Sequence, residues 1–217
     1  MERNSLILSY GDYVIRKNEM DILGSTQWLN DTIIGFYFEY LSRLYPESGG
    51  FKFFGPEITQ CIKLGSKHDI PVFTGGLECL RKINFMFWPV NDSMDPHDHY
   101  GGSHWSLLVF SRRENFFGHF DSTMTAGGGN DIQARRIYEK LAPFVSHSAT
   151  YQNLLCETQR NGYDCGIHVL CNAEKIADAA SKYGRIQGVQ TATSDFVAGM
   201  RNHLIRLIEK ESLRACR

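Results

Sequence analysis

Hydrophobic residues recur at three- and four-residue spacing in several parts of the chain, and this spacing predicts helices. In the segment Asn30–Tyr45 the apolar positions share one helical face, and Asn30 or Asp31 could cap its start. Pro56 suits the first turn of a second helix, which runs through Lys63, because its missing N–H costs nothing there. The same reasoning predicts helices at Asp131–Val145, Asp164–Ala180 and Phe196–Ile208.

The middle of the chain is rich in β-branched and aromatic residues, which predicts strands. These strands are expected at Ile83–Val90, Trp105–Ser111, Phe116–Asp121 and Tyr151–Thr158. The polar stretch 91–103 separates the first two, and a glycine run at 127–129 precedes the helix that begins at Asp131. The predicted elements are helices first, then strands, then helices again, and the chain shows no repeats or linkers. This order predicts an α+β fold in which helices flank a central sheet.

Composition narrows the function classes. A chain of 217 residues is long enough for one domain, which we expect to span 1–217 and to be a monomer. Its net charge is −1 and its cationic side chains are spread along the sequence, so we expect no binding of nucleic acid. None of the six cysteines forms a C-x-x-C pair, so neither a metal nor another cofactor is expected. No signal-like segment and no long apolar run occur, so an intracellular protein of the cytoplasm or nucleus, away from membranes, is expected.

One cysteine lies where a nucleophile would be activated. Cys165 begins a predicted helix, and the unpaired N–H groups of a helix start stabilise a negatively charged sulfur. The neighbouring Asp164 opposes that charge, and we expect its side chain to cap the helix and so lose part of this effect. Free cysteines are otherwise often small buried hydrophobic residues, so Cys165 needs chemical partners to act as a nucleophile.

Three further residues supply such partners. His104 begins a predicted strand and Asp121 ends the next, so a short connection makes them cross-strand neighbours in which the carboxylate orients the imidazole. Gln159, six residues before Cys165, could donate its amide to an oxyanion together with the backbone N–H of Cys165. Each residue alone could equally be a surface or turn residue. Together they favour cysteine attack on a carbonyl group.

Trp28 lies just before the first predicted helix, and Trp105 directly follows His104. Both could belong to the core, which is the more common place for tryptophan. Facing each other across a cleft, they would instead form a flat slot that admits only a chain without side chains, such as a glycine–glycine tail.

Two further groups of polar residues are expected to play no chemical part. A cluster of carboxylate and imidazole groups lies in a polar loop and has no distant Cys or His to complete a metal site. It consists of Asp95, His97, Asp98 and His99. His119 and His168 lie on apolar patterns and are expected to be packed, without an obvious chemical partner.

Four runs of residues together resemble the Ulp1/sentrin-specific protease family, in its order and spacing. They are Trp28-Leu29-Asn30-Asp31, His104-Trp105-Ser106-Leu107-Leu108, His119-Phe120-Asp121-Ser122 and Gln159-Arg160-Asn161-Gly162-Tyr163-Asp164-Cys165-Gly166. The similarity extends from about Leu8 to about Ile208. The overall length and the run Gly-Gly-Ser-His-Trp-Ser-Leu-Leu-Val are most similar to the deneddylase branch of that family.

The resemblance implies a papain-like cysteine protease with a central mixed sheet, which cleaves after the C-terminal diglycine of a ubiquitin-like modifier. It implies that His104, Asp121, Cys165 and Gln159 are catalytic. It further implies that Trp28 and Trp105 enclose the diglycine tail and that Asp31 helps to hold it. The expected partners are the neddylation modifier and its conjugates.

Alternatives of the same chemistry or the same fold remain open. SUMO could be the modifier instead, since SUMO proteases share the family. A clan-related acetyltransferase would use a similar order of His, acidic residue and Cys, although the two tryptophans argue against it. A binding module without turnover would keep the modifier groove, but it would not need all four chemical residues.

Overall fold

A computed structural model describes residues 4–95, 102–123 and 129–215 of the chain. Its strands are β1 (Leu6–Tyr10), β2 (Tyr13–Arg16), β3 (Phe51–Phe53), β4 (Phe85–Asn91), β5 (Trp105–Ser111), β6 (Phe116–Phe120) and β7 (Thr150–Leu154). The first two form an antiparallel hairpin, and the others form one sheet in the order β3-β4-β5-β6-β7. The three central strands are antiparallel, whereas β3 and β7 join the edges in parallel. The sheet is therefore mixed, as predicted.

Helices surround this sheet. They are α1 (Lys17–Leu23), α2 (Asp31–Leu44), α3 (Pro56–Leu64), α4 (Ile70–Phe73), α5 (Leu77–Lys82), α6 (Asp131–Val145), α7 (Cys165–Tyr183) and α8 (Ser194–Ala215). Short 3-10 turns at Glu47–Gly49 and Lys67–Asp69 add to them. The amide N–H of Ile33 donates to the side-chain oxygen of Asn30 at 3.1 Å, so Asn30, rather than the other candidate Asp31, caps α2.

Two hydrophobic cores lie on opposite faces of the sheet, because successive strand side chains point to opposite sides. Leu107 and Val109 of β5 belong to the core that α2, α7 and α8 complete. Leu108 and Phe110 belong to the core that α3 and α6 complete. Strand β5 is buried along its whole length, which explains why its sequence is almost continuously apolar rather than alternating.

The structure corrects several predicted elements. The hairpin β1–β2, helix α1 and the three-residue strand β3 were not predicted, because such short segments carry too few apolar positions to show a period. The predicted strand Tyr151–Thr158 is wrong at its end, since β7 ends at Leu154 and the chain then turns toward α7. Within the described ranges, no helix is long and apolar enough to cross a membrane.

Candidate active site

The predicted base and its carboxylate partner meet at one end of the central strands. His104 precedes β5 and Asp121 follows β6, and the antiparallel register pairs Leu107 with Phe120. This register brings the two flanking positions together. The Nε2 atom of His104 lies 2.7 Å from Oδ1 of Asp121, which is the cross-strand contact that the sequence predicts.

Asp121 is buried and accepts hydrogen bonds on both carboxylate oxygens. Oδ1 accepts from the backbone N–H and the hydroxyl of Thr123, each at 2.9 Å, besides its contact with His104. Oδ2 accepts from the backbone N–H of Asn130 at 2.8 Å. Burial alone would raise the pKa of Asp121, but these bonds to His104, Asn130 and Thr123 hold it well below its usual value. The carboxylate is therefore charged at neutral pH.

The segment 129–130 closes over this carboxylate. Gly129 has φ +78°, and a Cβ atom there would lie 2.2 Å from Oδ2 of Asp121. Only glycine fits both the conformation and the close approach. The side-chain amide of Asn130 donates to the carbonyls of Val90 at 2.9 Å and His104 at 3.2 Å, so this segment also ties β4 to the base. The rest of the glycine run, 127–128, lies outside the described residues.

The predicted nucleophile is the first residue of α7. Cys165 is a free thiol with only 2% of its surface exposed. Burial lowers the pKa of His104, but hydrogen bonds to Asp121 and to Cys165 outweigh it and raise that pKa to about 9. The imidazole thus lies between the carboxylate and the sulfur, as a base does in a cysteine hydrolase.

The loop before α7 is organised by Asn161, whose importance the sequence did not show beyond marking a turn. Its side-chain oxygen accepts from the backbone N–H groups of Tyr163 at 3.1 Å and Asp164 at 2.9 Å. Its amide donates to Oδ2 of Asp164 at 2.8 Å. The prediction that Asp164 caps α7 is wrong: its side chain makes no capping bond and instead pairs with Arg201 of α8 at 2.8 Å.

Gln159 joins the turn after Asp121 to the loop before Cys165. Its backbone N–H donates to the carbonyl of Ser122 at 2.9 Å, and its side-chain oxygen accepts from the Ser122 hydroxyl at 2.8 Å. Its side-chain nitrogen donates to the carbonyl of Asn161 at 2.7 Å. An amide nitrogen carries two hydrogens, so the group has a second donor besides this bond.

The two tryptophans differ in exposure. Trp105 is 6% exposed and belongs to the core with α2 and α7, whereas Trp28 is 50% exposed. The indole N–H of Trp28 donates to the carbonyl of Gly162 at 2.7 Å, and that of Trp105 donates to Leu29 at 3.2 Å. The Trp28–Leu29 segment is therefore bonded both to the nucleophile loop and to the strand that carries the base.

Asp31 is the first residue of α2, and its side chain is exposed. Partial desolvation and the negative charge of Glu57 raise its pKa. The position is thus an acidic group at the surface, three residues beyond Trp28.

His119 is buried, as predicted, but it does have chemical partners. Its Nδ1 lies 2.7 Å from Oδ1 of Asn153, and its Nε2 lies 2.8 Å from the hydroxyl of Ser106. Because the Asn153 amide nitrogen donates to Asp131 at 2.7 Å, its oxygen faces His119 and Nδ1 carries the proton. Burial lowers the pKa of His119, so the ring is neutral. This network supports the strand ends that carry His104 and Asp121.

The rival polar cluster lies mostly outside the part of the chain that the structure describes. Asp95 lies at the end of a described range, and His97, Asp98 and His99 lie outside the described residues. In the parts of the chain that the structure covers, no group of three or more His, Cys, Asp or Glu side chains could hold a metal ion.

Comparisons with known proteins identify the family of this chain. Residues 77–185 match the Ulp1 protease family, C-terminal catalytic domain. The chain is similar to sentrin-specific protease 8 of Mus musculus, with 33% identity over 211 residues that cover 94% of this chain and 93% of that protein. It is also similar to NEDD8-specific protease 1 of Arabidopsis thaliana, with 33% identity over 214 residues, or 94% and 92% of the two chains.

A solved structure agrees in fold. The C-terminal Ulp1 protease domain in complex with Smt3, the yeast ortholog of SUMO, matches with a TM-score of 0.75 and 21% identity, over 98% of this chain and 90% of that chain. Identity at that level supports the fold alone, whereas the two protein relatives match along nearly the whole sequence. The chain belongs to the Ulp1 protease family.

Proposed function

We propose that this chain is a cysteine protease that cleaves after the C-terminal diglycine of a ubiquitin-like modifier, with the neddylation modifier as its preferred substrate. One observation carries the proposal: Cys165, at the start of α7, hydrogen-bonds to an imidazole that Asp121 contacts at 2.7 Å. A thiol, a base and an orienting carboxylate in this order are the requirements for nucleophilic attack on a carbonyl.

Each candidate residue has one role in this proposal. The Cys165 thiolate attacks the carbonyl carbon of the last glycine, and the tetrahedral oxyanion is stabilised by the Gln159 amide and the backbone N–H of Cys165. His104 then gives its proton to the leaving amine, the C–N bond breaks, and a thioester remains. Water, deprotonated by His104, hydrolyses the thioester and regenerates the thiol. Asp121 keeps the imidazole ring oriented throughout and stabilises its protonated form before the proton is given to the leaving amine.

The exposure of the site favours a thin substrate. Cys165 is almost fully buried, which favours a narrow segment without side chains, such as diglycine, as the part of the substrate that reaches the sulfur. The half-exposed indole of Trp28, held over the nucleophile loop by Gly162, is the accessible wall of the proposed tail slot. Trp105 forms its buried floor, and Asp31 holds the tail by charge.

The choice of modifier rests on the relatives. Two of them, at 33% identity over 94% of this chain, are named sentrin-specific protease 8 and NEDD8-specific protease 1. The solved structure bound to a SUMO ortholog is only 21% identical. This difference favours the neddylation modifier, with SUMO as the second candidate. We further propose that residues 1–217 form one catalytic domain that acts as an intracellular monomer and requires no cofactor.

The proposal is tested by covalent capture with modifiers that carry a C-terminal electrophile. The purified chain would be mixed with such derivatives of the neddylation modifier, SUMO and ubiquitin, and adduct formation followed by mass. Cys165→Ala should abolish capture, whereas Cys61→Ala, a change at an exposed free cysteine, should leave it intact. Capture by the neddylation modifier alone is the expected result.

The other outcomes separate the alternatives. Preferential capture by SUMO would keep the mechanism and change the modifier. No capture by any of the three would favour an acetyltransferase or a binding module without turnover. Capture that survives Cys165→Ala would overturn the assignment of the nucleophile.

A further inference from the structure

Arg201 of α8 lies against the active-site loop although it follows the nucleophile by 36 positions. Its Nε and Nη2 atoms donate to Oδ1 of Asp164 at 3.0 and 2.8 Å. Nη1 donates to the carbonyl of Ile22 at 3.0 Å, and Nη2 donates to the carbonyl of Gln27 at 2.8 Å. One guanidinium therefore joins α8 to the end of α1, to the residue before Trp28 and to the residue before Cys165.

The contact with Asp164 answers an electrostatic problem of the site. A carboxylate next to the nucleophile in sequence opposes formation of a thiolate. The Asp164 side chain accepts no capping hydrogen bond from the N–H groups of α7 that would offset its charge. The side chains of Arg201 and Asp164 are only 16% and 18% exposed, so water screens the carboxylate weakly. The Arg201 guanidinium supplies a compensating positive charge directly at the Asp164 carboxylate.

The contact with Gln27 has a mechanical consequence. Trp28 is bonded to Gly162 of the nucleophile loop, and Arg201 holds the preceding carbonyl on the same side. Lysine could not make this set of bonds, because an ammonium lacks the planar fork of five donors. Arginine at this position thus fixes the spacing between Trp28 and Cys165.

We propose that Arg201 is a positioning residue of the active site, which neutralises Asp164 beside the nucleophile and fixes the Trp28 segment relative to Cys165. The inference rests on the proposed function, in which Cys165 attacks and Trp28 forms the tail slot. It adds a residue that touches neither the substrate nor the reacting atoms.

Variants of Arg201 and Asp164 leave the other ionisable groups near Cys165 and Asp164 in place. They are His104, Asp121, Glu157, Tyr163 and His168. Burial lowers the pKa of His168, so that ring stays neutral. A change in the reactivity of Cys165 in variants of Arg201 or Asp164 therefore reports the charge of this pair.

The test follows the pH dependence of Cys165 alkylation by iodoacetamide, with mass spectrometry of the peptide that contains Cys165. Arg201→Met should move the half-maximal pH upward by about one unit, because one negative charge near the sulfur loses its partner. Asp164→Asn should move it downward by a similar amount. The double variant should return close to the wild-type value. Arg206→Met, a change at an exposed position of the same helix, is the matched control and should move nothing.

A second measurement separates the two parts of the role. Arg201→Lys keeps the charge but not the set of bonds, so its alkylation profile should stay near that of the wild type while KM for a modifier substrate rises several-fold. Unchanged alkylation profiles in both Arg201→Met and Asp164→Asn would overturn the proposal. If Arg201→Met fails to fold, Asp164→Asn and the double variant decide it alone.

Alkylation requires no modifier, so its outcome is independent of the proposed protease activity. If no modifier derivative is captured but the alkylation profiles shift as expected, the proposed substrate is rejected and the electrostatic role of Arg201 is kept. Successful capture without those shifts would do the reverse.

Discussion

The two halves of the active site are built differently. On the base side, His104 and Asp121 are held by groups close to them in the sheet or in the turns that follow it, namely Thr123 and Asn130. On the nucleophile side, the loop 159–165 is tied down by Trp28 and Arg201, which come from distant parts of the sequence.

This difference affects how each half responds to change. The base side has overlapping hydrogen bonds to a buried carboxylate, so its geometry is set by the register of β5 and β6. The nucleophile side combines the local bonds of Asn161 with long-range contacts from Trp28 and Arg201, and each of these long-range contacts can be removed by one substitution. Substitutions on the base side should therefore act through the pKa of His104 and through stability, and those on the nucleophile side through transition-state contacts.

The largest effect is expected from Asp121→Asn on the base side. The variant keeps the shape but loses the charge that orients the imidazole and raises its pKa, so kcat should fall about 10⁴-fold. The measurement is steady-state cleavage of a modifier fusion. Asp131→Asn, which removes a nearby carboxylate bonded to Tyr151 and Asn153 rather than to His104, should cost less than tenfold. Equal losses in the two variants would contradict the orienting role.

The next effect is expected on the nucleophile side, from Gln159→Ala. Loss of one oxyanion donor should lower kcat by about 10² to 10³ with little change in KM, because the contact forms only in the transition state. Ser122→Ala removes only the hydroxyl that bonds the Gln159 oxygen, so it should cost less than tenfold. A change below tenfold in Gln159→Ala would reject the oxyanion role.

A smaller effect on stability is expected from Gly129→Ala. The residue has φ +78°, which costs a side chain about 1–2 kcal/mol, and its Cβ would also press against the Asp121 carboxylate. Urea denaturation should show a lower free energy of unfolding. Gly199→Ala in α8, where a Cβ would meet no atom within 4 Å, should stabilise the protein by about 0.5–1 kcal/mol. A neutral Gly129→Ala would show that the turn adapts.

The smallest effect concerns pH. Because the pKa of His104 is raised to about 9, the imidazolium persists at neutral pH, and kcat/KM should fall about tenfold per pH unit above that value.

The same pKa affects the free energy of unfolding. The stabilisation that the hydrogen bonds of His104 contribute is complete below the unfolded pKa of about 6.5 and is lost as pH rises through about 9. Denaturation of the wild type and of His104→Gln across this range should converge at high pH. A fall in kcat/KM that begins near pH 7 as the pH is raised would contradict the raised pKa of His104.

Strand pairing is what made the base side predictable. A short connection between two apolar runs was enough to place His104 beside Asp121, and the structure confirms that contact. The roles of Thr123 and Asn130 were not predicted, since they depend on how the turn after β6 folds back. The glycine run before Asn130 was the only signal of that close approach.

The nucleophile side was predictable only in part. The position of Cys165 at a helix start followed from the sequence, but the cap assigned to Asp164 was wrong because its charge is taken up by Arg201. No local pattern identifies Arg201, whose helix position matters only after α8 packs beside α1. The burial of Trp105 and exposure of Trp28 likewise depended on packing.

The sequence by itself determined the elements with strong apolar periodicity, the α+β class and the choice of the four candidate catalytic residues. These follow from local propensity and from short-range pairing, which act over a few residues. The tertiary structure alone decided the parallel edge strands, the closure of segment 129–130 over Asp121 and the ion pair of Arg201 with Asp164. Each joins groups whose distance in space is set by the packing of the whole fold, and sequence spacing carries no information about such distances.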